Sequence, residues 1–417
     1  MSESAFLEKL LDGAEVEWVP LAEGENRITE LKRGRVMSKG YLVENSGDYP
    51  VYSSQTARNG QIGKIKTFDF DGESITWTTD GANAGTVFHR TGKFSITNVC
   101  GIIRICDVDR LNYRYLFHYL SFNTQKHVYA GMGNPKLMSN QMAKIPIPIP
   151  CPENPEKSLA IQAEIVRILD TFTELTAELT AELTAELTAR KKQYNYYRDQ
   201  LLTFEDGEVA WKPLGQVISN LRTGLNPRKN FKLNPQGATN SYVTVRELGG
   251  FDLVISEKTD RVNNEGLALI QRRSKLQAGD VLFSATGTIG RTALIAEQPK
   301  DWNIKEGVYA ITPVPALLNS RFLIYLLQST KIRRKFLASA DGSVVASVSM
   351  ASFRKLEIPV PALAEQARIV AILDKFDTLT HSISEGLPRE IELRQNQYEH
   401  YRDLLLNFPK KQTEGVA

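Results

Sequence analysis

The 417-residue sequence is poor in the residues that build metal sites and disulfides. It has three cysteines and five histidines, and neither set shows the paired spacing of a metal site. Cys100, Cys106 and Cys151 are therefore predicted to be reduced thiols in or near a core. No apolar run approaches the roughly 18 residues that a membrane span requires. The N-terminal segment carries no basic or apolar export signal, so the sequence favours a cytoplasmic protein.

The sequence also lacks the motifs of common nucleotide-dependent and methyl-transferring enzymes. It contains no phosphate loop of the form Gly-x4-Gly-Lys-Ser/Thr, and no Asn-Pro-Pro-aromatic or Asp-Pro-Pro-aromatic motif. Glu30-Leu31-Lys32 resembles part of a nuclease site, but no Pro-Asp pair precedes it. Gly287 and Gly290 lie too close together for a dinucleotide loop and are interpreted as a strand-end turn. The sequence therefore predicts no catalytic residue, no metal ligand and no cofactor bound by this chain.

Residues 158–204 contain neither glycine nor proline and are dominated by helix-forming residues, so they predict one long helix. Its apolar residues alternate in the seam of a coiled coil at Ile161, Ile165, Ile168, Phe172, Leu175 and Leu179. Thr-Ala-Glu-Leu occurs three times in succession from residue 176 to 187. One such unit advances the seam by only about 40°, so its gain or loss does little damage to packing. The repeats suggest a spacer of adjustable length; the alternative is slippage of a repetitive coding segment without functional consequence.

The second half of the chain repeats the first. Residues 162–204 recur at 366–408 without a gap, and 21 of the 43 aligned positions are identical. Residues 16–21 likewise echo 209–214. Gly386-Leu387-Pro388 interrupts the second copy, so that helix is predicted to break there and to resume at Glu390. The pattern predicts a tandem duplication in which each globular block is followed by a long helix.

Proline-punctuated segments at 145–150 and 358–361 close the two globular blocks, and alternating prolines restrict them to edge strands or linkers. These boundaries give two globular and two helical segments, at 1–150, 151–206, 207–361 and 362–417. The globular segments carry 17 basic and 16 acidic side chains (net +1) at 1–150 and 21 and 12 (net +9) at 207–361. The helical segments carry 6 and 11 (net −5) at 151–206 and 7 and 9 (net −2) at 362–417. The acidic helical segments suit protein partners better than nucleic acid.

Basic, amide and hydroxyl side chains recur in turn-rich stretches of both blocks. Such side chains contact base edges and phosphates in protein–DNA complexes. The candidates for DNA contact in the first block are Lys32, Arg33, Arg35, Gln55, Arg58, Asn59 and Lys126. Those in the second block are Arg222, Arg228, Lys229, Lys232, Arg272, Arg273, Thr286, Thr288, Arg291, Arg333 and Arg334. Each cluster alone is more readily a solvated surface, but their presence in both blocks of a duplicated chain favours DNA.

Together these features resemble the specificity subunit of type I restriction-modification systems. The phrases that carry the resemblance are Gly279 to Ser284 followed by Gly290-Arg291, then 358–361 and Glu365-Gln366. The Thr-Ala-Glu-Leu repeats resemble the type IC-like subgroup, in which the number of repeats varies. The central helix and the Tyr-Arg-Asp-x-Leu-Leu ending also carry the resemblance to the family. The resemblance covers essentially the whole chain.

The resemblance implies an α+β fold. Two mixed α/β target-recognition domains, at 1–150 and 207–361, would stand in a pseudo-twofold arrangement. Two long antiparallel coiled-coil helices, the spacer at 151–206 and its counterpart at 362–417, would separate them.

The resemblance also implies partners. Each domain would recognise one half of a bipartite double-stranded DNA target, and two modification subunits would dock on the helices. S-adenosylmethionine, ATP and Mg²⁺ would be bound by modification and restriction subunits rather than by this chain. The candidate partner contacts are Tyr194, Tyr197, Arg198, Tyr398, Tyr401 and Arg402.

Two other functions remain open from the residues alone. One is a metal-dependent nuclease, which the lack of a carboxylate cluster beside a lysine disfavours. The other is a coiled-coil scaffold without a DNA role, for which salt-dependent DNA binding together with the partner subunit would be absent.

Overall fold

The structure is a computed structural model that describes residues 5–24, 27–129, 133–205, 207–228, 230–341, 346–381 and 386–409. The chain forms two compact units. Unit 1 comprises Met1–Glu182 with Ile391–Ala417, and unit 2 comprises Leu183–Glu390. Lys229 lies outside the described residues, as do the residues between His381 and Gly386.

The elements of the first half alternate short strands with helices and end in one long helix. They are α1 Ala5–Leu11, β1 Val16–Pro20, β2 Thr29–Arg33, α2 Lys39–Glu44, β3 Ser46–Tyr52, β4 Gln61–Ile65, β5 Ser74–Thr78, β6 Val87–Arg90, β7 Ser95–Ile96, β8 Cys100–Ile105, α3 Tyr113–Asn123, α4 Ser139–Met142, β9 Pro146–Pro150 and α5 Pro155–Leu201.

The second half follows a similar order. Its elements are β10 Ala210–Pro213, β11 Ile218–Thr223, β12 Asn240–Val243, β13 Arg261–Val262, α6 Asn264–Ser274, β14 Val281–Ser284, β15 Thr292–Leu294, β16 Trp302–Ile304, β17 Val308–Pro313, α7 Ser320–Gln328, α8 Thr330–Ala338, α9 Met350–Arg354, β18 Glu357–Val360, α10 Leu363–His381 and α11 Gly386–Leu406.

The two units share one sheet topology. Unit 1 has a four-stranded sheet in the order β2-β8-β5-β6, a three-stranded sheet β4-β3-β7 and a pair β1-β9. Unit 2 has β11-β17-β14-β15, β13-β12-β16 and β10-β18. Within each three-stranded sheet the same pair is parallel, β3 with β7 and β12 with β16. The predicted α+β fold is confirmed, and the duplication extends to the block interiors.

The proline-rich segments form the edge strands that the sequence predicts. β9 pairs antiparallel with β1, and β18 pairs antiparallel with β10. The repeated segments 16–21 and 209–214 thus supply the same partner strand in each unit. Proline fits because a two-stranded sheet leaves one side of each strand without backbone hydrogen bonds to a neighbour.

Equivalent glutamines at the start of the repeated helices fasten each helix to its unit. The Gln162 side chain accepts a hydrogen bond from the Asn112 N–H (2.9 Å) and donates one to the Arg110 carbonyl (2.8 Å). The Gln366 side chain accepts from the Asn319 N–H (2.8 Å) and donates to the Leu317 carbonyl (2.8 Å). Both glutamines are fully buried, so each satisfies backbone groups that water cannot reach.

The predicted long helix is confirmed as the 47-residue α5, but its buried face departs from the predicted seam, and Ile168 is only partly buried. Leu169 is fully buried where the seam predicted Ile168, and Leu175 is 50% exposed. The reason is that Ile161, Ile165 and Leu169 pack into the globular core of unit 1, so that core sets the buried face. The predicted break is confirmed because Gly386 has a left-handed φ of +78°, although α11 begins there rather than at Glu390.

The cysteine prediction holds in part. All three cysteines are free, and Cys100 is buried, but Cys106 is exposed because it lies just beyond the end of β8. Burial raises the pKa of the Cys100 thiol to about 12. Among the described residues no helix is both long and apolar enough to cross a membrane.

Candidate nucleic-acid interface

One glycine in each unit marks the point where the chain leaves the four-stranded sheet for the three-stranded sheet. Gly34 follows β2, and Gly224 follows β11. A Cβ atom on Gly34 would lie 2.1 Å from the Ile96 carbonyl oxygen, and one on Gly224 would lie 1.7 Å from the Ile304 carbonyl oxygen. No other residue fits without a backbone shift, so the two crossings are structurally equivalent.

Loops converge around each crossing, and we call these two loop clusters the rims. Rim 1 comprises residues 34–38, 53–60, 79–84, 97–99, 129 and 133–136. Rim 2 comprises residues 223–227, 244–247, 285–287, 305–307 and 346–350. The corresponding loops follow β2, β3, β5 and β7 in unit 1 and β11, β12, β14 and β16 in unit 2.

Hydrogen bonds between loops hold rim 1 together. Arg33 donates to the Asn98 carbonyl (2.7 Å), and the Thr97 hydroxyl donates to the Ser53 hydroxyl (2.8 Å). The Asn83 side chain donates to the Ser54 carbonyl at 3.1 Å. β-Bridges join residue 136 to residues 80 and 129. These contacts give rim 1 a fixed geometry.

A tight turn in rim 1 carries three of the predicted residues. Arg58 and Asn59 both adopt left-handed backbone conformations, with φ of 53° and 52°. The buried Arg90 holds this turn, because its Nη2 atom donates to the Asn59 carbonyl (2.6 Å) and its guanidinium stacks on Tyr52 at 3.6 Å. Burial lowers the pKa of Arg90 to about 10. Gln55 completes the turn by donating to the carbonyl of residue 61 at 2.5 Å.

Rim 2 encloses a cleft of about 870 Å³. The Gly307 N–H donates to the Thr223 hydroxyl (3.1 Å), and Thr286 forms a β-bridge with Ser347. Charged side chains from four places line the cleft, namely Arg246, Asp260, Arg273, Lys305 and Glu306. Hydroxyl and amide groups from Asn226, Thr244, Thr286, Ser347 and Ser349 fill the spaces between them. The cleft thus offers both hydrogen-bond donors and hydrogen-bond acceptors.

The remaining candidates of the first block lie on or beside rim 1. Lys32 pairs with Glu30 at 3.3 Å on β2, and Arg35 pairs with Asp69 at 3.0 Å. The Lys126 ammonium lies over the Phe122 ring at 3.8 Å.

The candidates of the second block are more dispersed. Thr286 and Arg273 line the cleft, and Arg291 donates to the Val245 carbonyl at 3.3 Å. Arg228 follows the cleft residue Pro227. The exposed candidates outside the lining are Lys232, Arg272, Thr288, Arg333 and Arg334, the last two of them on α8.

Arg222 does not face a ligand, contrary to its selection as a DNA contact. Its side chain is 10% exposed, and its Nη2 atom donates to Asp280 and to Thr312, each at 2.6 Å. Its Nη1 atom donates to the Lys275 carbonyl at 2.5 Å. The guanidinium is therefore held by hydrogen bonds to groups within unit 2.

Two of the six predicted partner contacts are buried, and the other four lie nearer the surface. Tyr194 and Arg198 are 2% and 8% exposed and pack within unit 2, so they offer little surface to another chain. Tyr197 and Tyr401 are 41% and 39% exposed and stack on Phe376 and Phe172. The Tyr398 hydroxyl accepts a bond from Thr173, and Arg402 lies over Phe122 and pairs with Asp403.

Sequence reasoning missed Arg90, Arg246, Asp260 and Lys305. The available signal was position, since Arg246 lies three residues after the short strand β12 and Lys305 directly follows the short strand β16. Those strands have four and three residues, which is too short for a clear alternating pattern.

The two units thus share one topology, while the side chains on their rims differ. The family described as type I restriction modification DNA specificity domain matches residues 26–189 and 210–393. The chain therefore belongs to the type I restriction-modification DNA specificity family.

Individual relatives agree with this assignment. The chain is 38% identical over 435 residues to the specificity subunit of the Escherichia coli type I restriction enzyme EcoR124I/EcoR124II, which covers 99% of each chain. It is 33% identical over 412 residues to the EcoprrI specificity subunit of Escherichia coli, covering 92% of this chain and 93% of the relative.

A solved structure addresses complex assembly and conformational transition of the type I R-M system. One of its chains matches this fold with a TM-score of 0.62 and 16% identity, over 94% of this chain and 96% of that chain. The likeness shows a common fold.

Proposed function

We propose that this chain is the DNA-specificity subunit of a type I restriction-modification complex, and that each rim contacts one half of a bipartite target. The observation that carries the proposal is the equivalence of the crossings at Gly34 and Gly224. The same frame presents loops at the same place in both units, while the side chains on those loops differ. Such an arrangement suits two readers of different sequences.

The side chains of the rims fit DNA. Arg58 and Asn59 in rim 1, and Arg246 and Lys305 in rim 2, stand on turns that other residues hold in place. Arginine and asparagine recognise guanine and adenine through paired hydrogen bonds, whereas lysine binds phosphate mainly through its charge. The net charge of +9 on segment 207–361 supplies the attraction to a polyanion.

We assign the chemistry of methylation and cleavage to partner subunits. Two modification subunits carrying S-adenosylmethionine would dock on the helical segments 151–206 and 362–417, and restriction subunits would bind ATP and Mg²⁺. Tyr197 and Tyr401 are the stronger candidates for docking because their exposed rings sit at equivalent positions of the repeat. The globular segments 1–150 and 207–361 would act as the recognition domains, in the cytoplasm where genomic DNA lies.

The test is co-expression of this chain with the methyltransferase subunit of its system, followed by genome-wide mapping of methylated adenines. The proposal predicts methylation at a split motif with a fixed unspecified spacer. Methylation without sequence preference, or at one uninterrupted motif, would contradict it. Nuclease activity of the chain alone, retained after removal of all partner subunits, would favour the metal-dependent alternative.

A further inference from the structure

Arg246 in the cleft of rim 2 is held in one orientation from two sides. Its Nη2 atom donates to the Asp260 carboxylate at 2.6 Å, and its Nε atom donates to the Thr244 hydroxyl at 3.3 Å. The Thr244 hydroxyl is itself fixed because it donates to the buried Glu247 carboxylate at 2.8 Å. Asp260 is fixed as well, because it accepts a bond from Asn234 at 2.9 Å. Yet the Arg246 side chain remains 57% exposed, so its outer edge is free to meet a ligand.

The bonds already made leave a defined set of donors. A guanidinium carries five N–H groups, and Arg246 uses one on Nε and one on Nη2. Both N–H groups of Nη1 and one of Nη2 are not used by these bonds, and a planar guanidinium can offer one N–H from each of these nitrogens as a fork. Guanine offers two adjacent acceptors, N7 and O6, in the major groove, whereas adenine offers an acceptor beside a donor. The fork therefore matches guanine and opposes adenine.

The charges around Arg246 favour a base edge over a phosphate. Asp260 lies at 2.6 Å and Glu247 at 3.8 Å from the guanidinium, so its positive charge is locally balanced. A phosphate approaching Arg246 would meet these two carboxylates, whereas neutral guanine would not. Lys305 in the same cleft has no such pair of carboxylates among its described contacts and suits the phosphate backbone better.

We propose that Arg246 reads a guanine in the half-site of the second recognition unit, with Asp260 and Thr244 as its positioning residues. The inference rests on the proposed function and adds the base class and the residue that reads it. Its first consequence needs no mutation: the half-site assigned to unit 2 contains at least one guanine on either strand. A half-site without a G·C pair overturns the proposal.

The decisive variant is Arg246→Lys, assayed in the complete methyltransferase complex. Lysine keeps the charge but loses the planar fork, so a phosphate contact would survive, whereas the paired contact to guanine would be weakened. We expect one G·C position of the second half-site to become degenerate, with a roughly 5- to 150-fold loss of discrimination there. The first half-site should stay unchanged. Arg354→Lys is the matched control, because Arg354 is an exposed arginine of unit 2 at the end of α9 and is not among the residues that line the cleft. The motif of this variant should stay that of the parent.

A binding measurement on short duplexes provides the second arm. Replacing the implicated guanine by 7-deazaguanine removes the N7 acceptor, so it should weaken binding by the wild-type complex more than binding by the Arg246→Lys complex. Should Arg246→Lys fail to fold, Asp260→Asn with the same duplexes carries the test, since it loosens the fork while keeping Arg246. An unchanged motif in an active variant, or an equal loss on all sequences, overturns the proposal. Absence of a bipartite motif in the wild-type complex would count against the proposed function instead.

Discussion

The Nε2 atom of His118 lies 2.7 Å from a carboxylate oxygen of Asp170, and this contact ties α3 to α5 in unit 1. The repeat counterpart of Asp170 is Asp374, which accepts a hydrogen bond from the Tyr325 hydroxyl at 2.5 Å in unit 2. Arg114 forms a salt bridge with Asp170 in unit 1, and Arg321 forms one with Asp374 in unit 2. The duplication has kept the carboxylate and the arginine, but only unit 1 has an imidazole at the third position.

This difference predicts that unit 1 is the more acid-sensitive unit. Burial lowers the pKa of His118 below its ordinary value of 6.5, despite the opposing effect of Asp170. Burial opposes the pKa shift of Asp170, but hydrogen bonds from Arg114 and His118 lower it overall. The unfolded chain therefore binds protons at a higher pH than the folded chain at both residues. The contribution of these two residues to the free energy of unfolding of unit 1 is therefore complete above about pH 6.5 and decreases as the pH falls below that value.

Hydrogen exchange of the α3 amides at pH 7.5 and 5.5 measures this effect, after correction for the intrinsic pH dependence of exchange. We expect the protection of α3 to drop at pH 5.5 in the wild type and to drop less in His118→Gln. Tyr325→Phe is the control in unit 2, and it should leave the pH response of α3 unchanged. An equal pH response in His118→Gln and wild type would contradict this account.

The crossing at Gly34 should not tolerate a side chain. The Cβ atom of Gly34→Ala would meet backbone atoms 2.1 Å away, so the strands must shift. We expect a loss of about 1–3 kcal/mol in the free energy of unfolding of unit 1, the range typical of overpacking. Gly40→Ala is the control, because its nearest atom would be the Ser38 hydroxyl at 3.7 Å. Equal denaturant midpoints for the two variants would refute the assignment of Gly34 as a sterically closed crossing.

The aspartate of the repeated Tyr-Arg-Asp ending should matter more for stability in unit 2 than in unit 1. Asp199 accepts hydrogen bonds from the Thr330 N–H (3.0 Å) and hydroxyl (2.5 Å), and so caps the N-terminus of α8. Its repeat counterpart Asp403 pairs with the neighbouring Arg402. We expect Asp199→Ala to cost about 0.5–2 kcal/mol, the range for the loss of a side chain that caps a helix N-terminus, and Asp403→Ala to cost less than half as much. Thermal unfolding of the two variants compares them directly.

The Thr-Ala-Glu-Leu repeats should set the spacer between the half-sites. One unit adds four residues, or about 6 Å of helix, against about 3.4 Å per base pair of DNA. Because an oblique helix projects a shorter length, we expect deletion of 180–183 to shorten the spacer by one base pair. Both half-sites should remain. A two-residue deletion turns the helix by about 200° and should abolish assembly. An unchanged spacer in an active four-residue deletion would support slippage without function.

Structural features that depend only on residues close together in the sequence could be predicted. The long helix follows from the absence of glycine and proline, and the edge strands follow from alternating prolines. The burial of Ile168 and Leu175 could not be predicted from the sequence, because the buried face of α5 depends on the core against which the helix packs. A helix facing a globular surface does not keep the periodicity of one facing another helix.

The candidate site was less predictable because its contacts join residues far apart in sequence. Arg222 and Arg246 both stand near turns, and nothing local distinguishes them. Asp280, 58 residues after Arg222, draws that guanidinium into the interior, whereas Asp260 holds Arg246 at the edge of the cleft. The topological match of the two blocks was also hidden, because strands of two to seven residues carry little pattern once their sequences diverge.

The most direct test of the central claim exchanges one recognition unit and maps the result. Residues 207–361 are replaced by the corresponding block of another family member with a known, different motif, and the chimera is co-expressed with the methyltransferase subunit. Two independent rims predict that one half of the methylated motif changes to that of the donor, while the other half and the spacer length stay as in the parent. A change in both halves, or in neither, in a complex that still methylates DNA would contradict the account.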